Sequence, residues 1–305
     1  MESLRLPEGS RKEGQSDQPG LFGQSQTLVS FNEIPEWYSD NKYILHGYRP
    51  ISNSARACFN SWKYLHNETV NIYSHLIPGL FFLAGEWYLL QYLQAKYPQA
   101  TLSDFVVFAF FLLTTTICFG MSAMYHTLMN HSVDVSNLWL QVDLIGIVIS
   151  TLGNFVSGIY VIFYCEPELK RRYWAMIFTL SVVSITLLMS PKFQGNHWRG
   201  FRVGTFITTA LTGFAPIFHG VFLYGFERSM AQSGMPYYFG EGSLLLLGAV
   251  FYMTRIPECM KPGTFDIFGA SHQIFHTLVV LATTIHFLGI LSAFDYNYRH
   301  RTCTL

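Results

Sequence analysis

Seven long apolar blocks dominate this chain, roughly 71–92, 104–127, 139–163, 173–190, 203–224, 242–257 and 269–293. Most exceed the ~18–20 residues that an α-helix needs to cross ~30 Å of hydrocarbon. In lipid every backbone N–H and C=O must be satisfied within the segment, and blocks of this length can do that only as helices. The expected fold is therefore all-α, a seven-transmembrane helix bundle. The fourth and sixth blocks are short, so six spans is the competing count. Pro78 and Pro216 are expected to kink the first and fifth. Composition agrees: charged residues make up 12% of the 305-residue chain, about half the ~25% usual in soluble domains.

The remaining chain divides simply. Residues 1–28 are polar and rich in Gly, Ser, Pro and Gln, a composition that cannot offset the entropy of ordering, and they read as a disordered tail. No apolar core follows a basic start there, so no secretory signal is expected. Residues 29–68 mix aromatics with charge and read as a juxtamembrane segment, part of it a candidate interfacial amphipathic helix. Residues 69–295 form the helical domain and 296–305 a short tail on the opposite side. With the N-terminus cytosolic, twelve Lys and Arg fall on the inner side and seven on the outer, which favours that orientation. Two sequons, at Asn67 and Asn130, would then be cytosolic.

Nineteen basic and nineteen acidic residues balance, so no global field favours nucleic acid. The five cysteines form no CxxC pair, which excludes a thiolate zinc finger. Cys165 and Cys303 would share the outer face and could pair. A retinal protein is excluded because the last lysine, Lys261, precedes block seven.

Ionisable side chains at membrane depth are costly and mark function. His126 lies near the end of block two, Asp143 near the start of block three, and His272 and His276 in the first turns of block seven. If blocks two and seven run in opposite directions, all four lie one or two turns below the same face. His272 and His276, spaced i and i+4, share one side of a helix and can grip one metal ion; His126 would be a third ligand, leaving a fourth position open, as in catalytic zinc sites. Taken singly, each histidine reads as a core residue bonded to a carbonyl. Gln273 stands where a zincin has its glutamate, so the base must come from elsewhere, and Asp143 is the only carboxylate expected at that depth. Ser122, four residues before His126, could orient water or donate to an oxyanion. His75 reads as a bonded structural residue, and His219 and His286 lie too far towards the outer half. Arg255 either binds a lipid phosphate or snorkels to the interface.

The stretch HNETVNIYSHL, Ser122 with His126, Asp143, the TRIPE of 254–258 and SHQIFH together resemble the adiponectin receptor and progestin receptor (PAQR) family, which includes haemolysin III-like proteins. The likeness covers roughly residues 31–295. It implies seven spans, a cytosolic N-terminus, and a zinc ion (Zn2+) held by His126, His272 and His276 with Asp143 and Ser122 beside it. It also implies receptor-like proteins with ceramidase-type hydrolysis, acting on membrane lipids such as ceramide, in the plasma membrane or an endomembrane, and an extracellular protein ligand as a further partner. The short tails resemble fungal members and depart from the mammalian receptors, which weakens any expectation of their hormone. The expected activity is zinc-activated hydrolysis of a lipid amide with Asp143 as base; the alternative is a non-catalytic receptor or a zinc or lipid homeostasis regulator with a structural zinc.

Overall fold

A computed structural model describes residues 28–38, 40–193, 195–300 and 303. The expected disordered tail lies almost wholly outside them. The described chain is helical: α1 (Ala55–Asn60), α2 (Thr69–Lys96), α3 (Leu102–Leu128), α4 (Val133–Ile162), α5 (Pro167–Met189), α6 (Arg199–Leu211), α7 (Phe214–Tyr224), α8 (Phe226–Gln232), α9 (Met235–Thr254) and α10 (Ser271–His300). An isolated antiparallel bridge joins Val29 and Tyr48.

Among the described residues, six segments are long and apolar enough to span a bilayer: α2, α3, α4, α5, the combined 199–224 stretch, and α10. This is an integral multi-pass membrane protein. α9, over the sixth block, is 20 residues long but is not among the six. Its first half carries Pro236, Tyr237, Tyr238 and Glu241, which lower its hydropathy. The helix nevertheless packs along α10. The fifth block is interrupted, with α6 ending at Leu211 and α7 starting at Phe214. Proline in a helix removes one i→i−4 bond and clashes with the carbonyl of residue i−4, which for Pro216 is Thr212. At that point Thr212 N–H and Gly213 N–H donate to Thr209 and Ala210 instead.

Local chemistry sets the helix ends. Thr101 and Asp104 form a reciprocal capping box at the start of α3, satisfying amides that a helix start leaves orphaned. Pro167 opens α5, where its missing N–H costs nothing. α3 and α4 approach closely because glycine lines their contact: a Cβ at Gly146 would lie 3.3 Å from Cys118 Cα, and one at Gly153 would collide with Thr114. Small residues let backbones approach in this way. Asp143, three residues before Gly146, shares its side of α4 and faces α3.

Among its described residues, the juxtamembrane segment contains short helical turns and the six-residue α1. It folds into the bundle. Arg49 is fully buried and donates to the carbonyls of His126 (2.6 Å) and Thr127 (2.9 Å) and to Ser61 Oγ (2.9 Å). It thereby caps the carbonyls at the end of α3. Asn67 and Asn130 are both buried, so neither sequon offers its side chain for glycosylation. At the other end of the bundle Cys165 and Cys303 form a disulfide, tying the α4–α5 turn to the chain beyond α10.

Candidate metal centre

Two helix ends supply the centre. His126 lies in the last turn of α3, whose carbonyls Arg49 holds. His272 and His276 lie in the first two turns of α10. Glu258 anchors that start: its carboxylate accepts Ser271 N–H at 2.8 Å, the Ser271 hydroxyl, and Asn41 Nδ2 at 2.8 Å. Gln273 braces the preceding loop, accepting Gly269 N–H at 2.6 Å and donating to Ile267 O at 2.9 Å. Its amide is therefore committed to structure.

His126, His272 and His276 converge, with candidate ligand nitrogens all within 4.8 Å of one another. Ring centroids are 5.0 Å apart for His126 with each of the others and 4.7 Å for His272 with His276. The donor set fits a metal ion. His126 Nδ1 is bound by Glu68 Oε2 at 2.8 Å, and His276 Nδ1 by Ser74 Oγ at 3.0 Å and Asn71 O at 3.2 Å. In both rings Nε2 is left for the cluster, and that of His126 is buried with no hydrogen-bond partner among the described residues. Metal-ligating histidines typically anchor their other nitrogen to a carboxylate or carbonyl in this way, which fixes the tautomer and raises basicity.

Glu68 corrects one expectation, since Asp143 is not the only carboxylate at this depth. Burial would raise the Glu68 pKa, but the hydrogen bonds from His126 and Asn71 hold it below the usual carboxylate range. The ionised form is the one that accepts His126 Nδ1–H. A sequence signal existed: Glu68, Asn71 and His75 are spaced i, i+3 and i+7, a polar stripe on one side of an apolar helix.

Asp143 on α4 lies near enough to Ser122 and His126 for both to act on its carboxylate, but it is not one of the three clustered ligands. Ser122 Oγ is 2.8 Å from His75 Nδ1. His75, bonded as the sequence reading has it, also stacks on His276 and on Phe119, so its bonded ring lies against the centre itself. His219 and His286 stay apart from the cluster: His219 pairs with Tyr173 Oη at 3.0 Å, and His286 Nδ1 with Glu241 Oε2 at 2.7 Å. Glu241 falls one residue before the sixth apolar block, which concealed it.

The profile of the haemolysin-III-related family matches residues 63–287. The chain belongs to that family. Within it, the chain is 36% identical over 269 residues to the ADIPOR-like receptor IZH2 of Saccharomyces cerevisiae, covering 88% of this chain and 84% of that protein. It is 34% identical over 285 residues to the adiponectin receptor protein of Drosophila melanogaster, covering 93% of this chain and 64% of that one. It is 35% identical over 284 residues to the progestin and adipoQ receptor-like protein 1 of Caenorhabditis elegans, covering 92% and 64%. The haemolysin-III-related chain thus spans somewhat under two thirds of the fly and nematode proteins. The adiponectin-receptor likeness and the kinship with fungal members agree with the motifs.

Proposed function

We propose that this protein is a metal-dependent lipid amide hydrolase of ceramidase type, with zinc held by His126, His272 and His276 and the cluster on the cytosolic face of a seven-helix bundle. The observation that carries the reading is the convergence of three imidazoles, those of His126 and His276 buried and that of His272 partly so, with a serine and an aspartate alongside. A bound zinc ion would polarise an amide carbonyl and lower the pKa of water to around 7. Asp143 takes and returns the proton. With His75 protonated on Nδ1, the 2.8 Å contact to Ser122 Oγ would leave the Ser122 hydroxyl hydrogen for Asp143 or a developing oxyanion. Glu68 and Ser74 hold two of the ligand rings in register.

A lateral groove of about 500 Å3, lined by Ile77, Pro78, Phe82, Leu112, Val280 and Phe287 among others, supports an acyl-chain substrate. It begins within a turn of Ser74 and His75 on α2. The disulfide supports the orientation. Disulfides persist on oxidising sides of membranes, and Cys165–Cys303 lies at the end of the bundle opposite the histidines.

The second reading is a receptor or homeostasis regulator with a structural metal. It is favoured by the names of the fly and yeast relatives, both called receptors. Purified protein separates the two. Fatty acid released from ceramide by wild type and lost in Asp143→Ala, with metal still bound, is the result expected of the hydrolase. Stoichiometric metal without turnover on any lipid amide would leave the receptor.

A further inference from the structure

Above the histidine cluster, towards the same face, lies a small cavity of about 60 Å3 whose lining includes Asp40, Tyr125, His126, Arg199, Arg255 and His272. Its volume admits a carboxylate or phosphate group but not an acyl chain. Two guanidinium groups reach it, from the first residue of α6 and from the residue after α9. The acidic groups elsewhere on its wall are committed: Glu68 to His126 and Asn71, and Asp266 to the Leu45 and His46 amides, both at 2.9 Å.

Arg199 is held at one end only. Its Nη2 donates to Tyr252 O at 2.7 Å, and its Cζ lies 3.8 Å from the centre of the Tyr252 ring, a cation–π geometry. Its Nε and Nη1 are buried without a hydrogen-bond partner among the described residues. Buried donors in that condition are costly and are normally satisfied. The group facing both arginines is Asp40, with one oxygen 3.6 Å from Arg199 Nη1 and the other 3.6 Å from Arg255 Nη2. Charge-assisted N–H···O bonds are ~2.7–2.9 Å long. Asp40 is therefore attracted to both guanidiniums without forming the hydrogen bonds they can make. Its side chain is 42% exposed, on a segment of short turns, so it can swing away at little cost.

We propose that Arg199 and Arg255 form an oxyanion clamp at the mouth of the histidine cluster, which takes the carboxylate or phosphate headgroup of a single-chain anionic lipid in place of Asp40. Asp40 acts as an internal competitor, presenting two oxygens to the same two guanidiniums. The helix ends that carry the arginines lie where headgroups lie, and basic pockets between helix ends bind such groups. Arginine suits the task because its planar fork matches a two-oxygen anion. The clamp requires neither turnover nor a particular metal, so it stands or falls separately from the hydrolase.

Full-length protein in detergent, metal-loaded and metal-stripped, is titrated calorimetrically with dodecyl phosphate, dodecanoate, dodecanol and inorganic phosphate. Both anionic chains are expected to bind wild type, to weaken roughly tenfold in Arg255→Gln, and to tighten in Asp40→Asn, a gain that misfolding cannot imitate. Dodecanol should respond to neither substitution. Inorganic phosphate binding as tightly as dodecyl phosphate keeps the clamp but overturns the lipid source. Anion binding that vanishes on metal stripping and is indifferent to Arg255→Gln places the anion on the metal and overturns the clamp, as does an Asp40→Asn protein that binds no better than wild type.

Discussion

The imidazole rings of His75 and His276 stack face to face, with centroids 3.7 Å apart and 7° between their planes. This contact joins α2 to α10, while His75 Nδ1 holds Ser122 at 2.8 Å. The two roles separate by substitution. His75→Phe keeps a flat ring against His276 and removes the hydrogen bond. It is expected to retain metal and lose turnover by roughly a hundredfold, the scale of one lost polar group at a reacting centre. His75→Ala opens a void beside His276 and should weaken metal binding as well. Metal content and ceramide turnover are measured together; equal metal loss in both variants would refute the separation.

Glu68 should control metal affinity without touching the ion. Glu68→Ala leaves His126 Nδ1 without its acceptor, and loss of such an outer partner typically weakens affinity by about 10- to 100-fold. Glu68→Gln, which retains an acceptor oxygen but no charge, should fall between that variant and wild type. Competition against a chromophoric chelator reads this directly. An unchanged affinity in Glu68→Ala would remove the residue from the centre.

Glu241 joins three helices, α4, α9 and α10, in the half of the bundle away from the metal centre. Its carboxylate binds His286 Nδ1 at 2.7 Å and accepts Asn154 Nδ2 at 2.7 Å, while His286 Nε2 lies 3.0 Å from Ser157 Oγ. Breaking a buried pair from one side is costly, about 3–5 kcal/mol, whereas replacing both partners with apolar groups is often near neutral. Glu241→Leu alone should lower the unfolding temperature markedly, and the Glu241→Leu/His286→Leu double variant should recover much of it. A double variant as unstable as the sum of the singles would count against the pairing.

Acid should loosen the juxtamembrane segment through His66. This side chain is fully buried, and burial, reinforced by Arg49, pushes its pKa down to about 3. Its Nδ1 accepts the Glu68 amide at 3.1 Å, a bond that protonation abolishes. The unfolded form takes up a proton near the ordinary value of ~6.5, while the folded form resists until about pH 3. Stability from this group is therefore complete above pH 6.5 and falls as pH drops towards 3, by about 1.4 kcal/mol per pH unit for one proton. Comparing unfolding curves of wild type and His66→Gln across that window isolates the slope. Parallel curves would show that His66 contributes none of it.

The disulfide gives a topology test. In Cys165→Ser the Cys303 thiol loses its partner and should react with a membrane-impermeant maleimide on intact cells, or from the lumenal side of sealed vesicles. Labelling only after permeabilisation would invert the orientation and put the histidine cluster on the outer face.

Much of the architecture was legible because membrane insertion is a local problem. Each apolar block must satisfy its own backbone, so the helices could be located, but several run six or seven residues past their blocks, as α4 does by starting at Val133 and α10 by ending at His300, because first and last turns are polar. The histidine trio was legible because depth follows from position along a helix, and i, i+4 spacing fixes one side. Glu68 was missed because it lies outside the apolar block that begins at Asn71. His75 is bonded, as the sequence reading has it, but nothing along its helix marked that its ring lies against His276.

Residue order alone dictated a helical membrane protein, the middles of its spans and a set of imidazoles at one depth, since each depends on neighbours along a single helix. Folding chose which carboxylate backs His126, which ring lies against His276, that Arg49 holds the end of α3, and that Arg199, Arg255 and Asp40 gather where α6 starts and α9 ends. Those choices depend on the rotation and lateral order of helices and on a polar segment threaded among them. Hydropathy and spacing carry no information about either, because lipid rewards every arrangement that buries the polar faces.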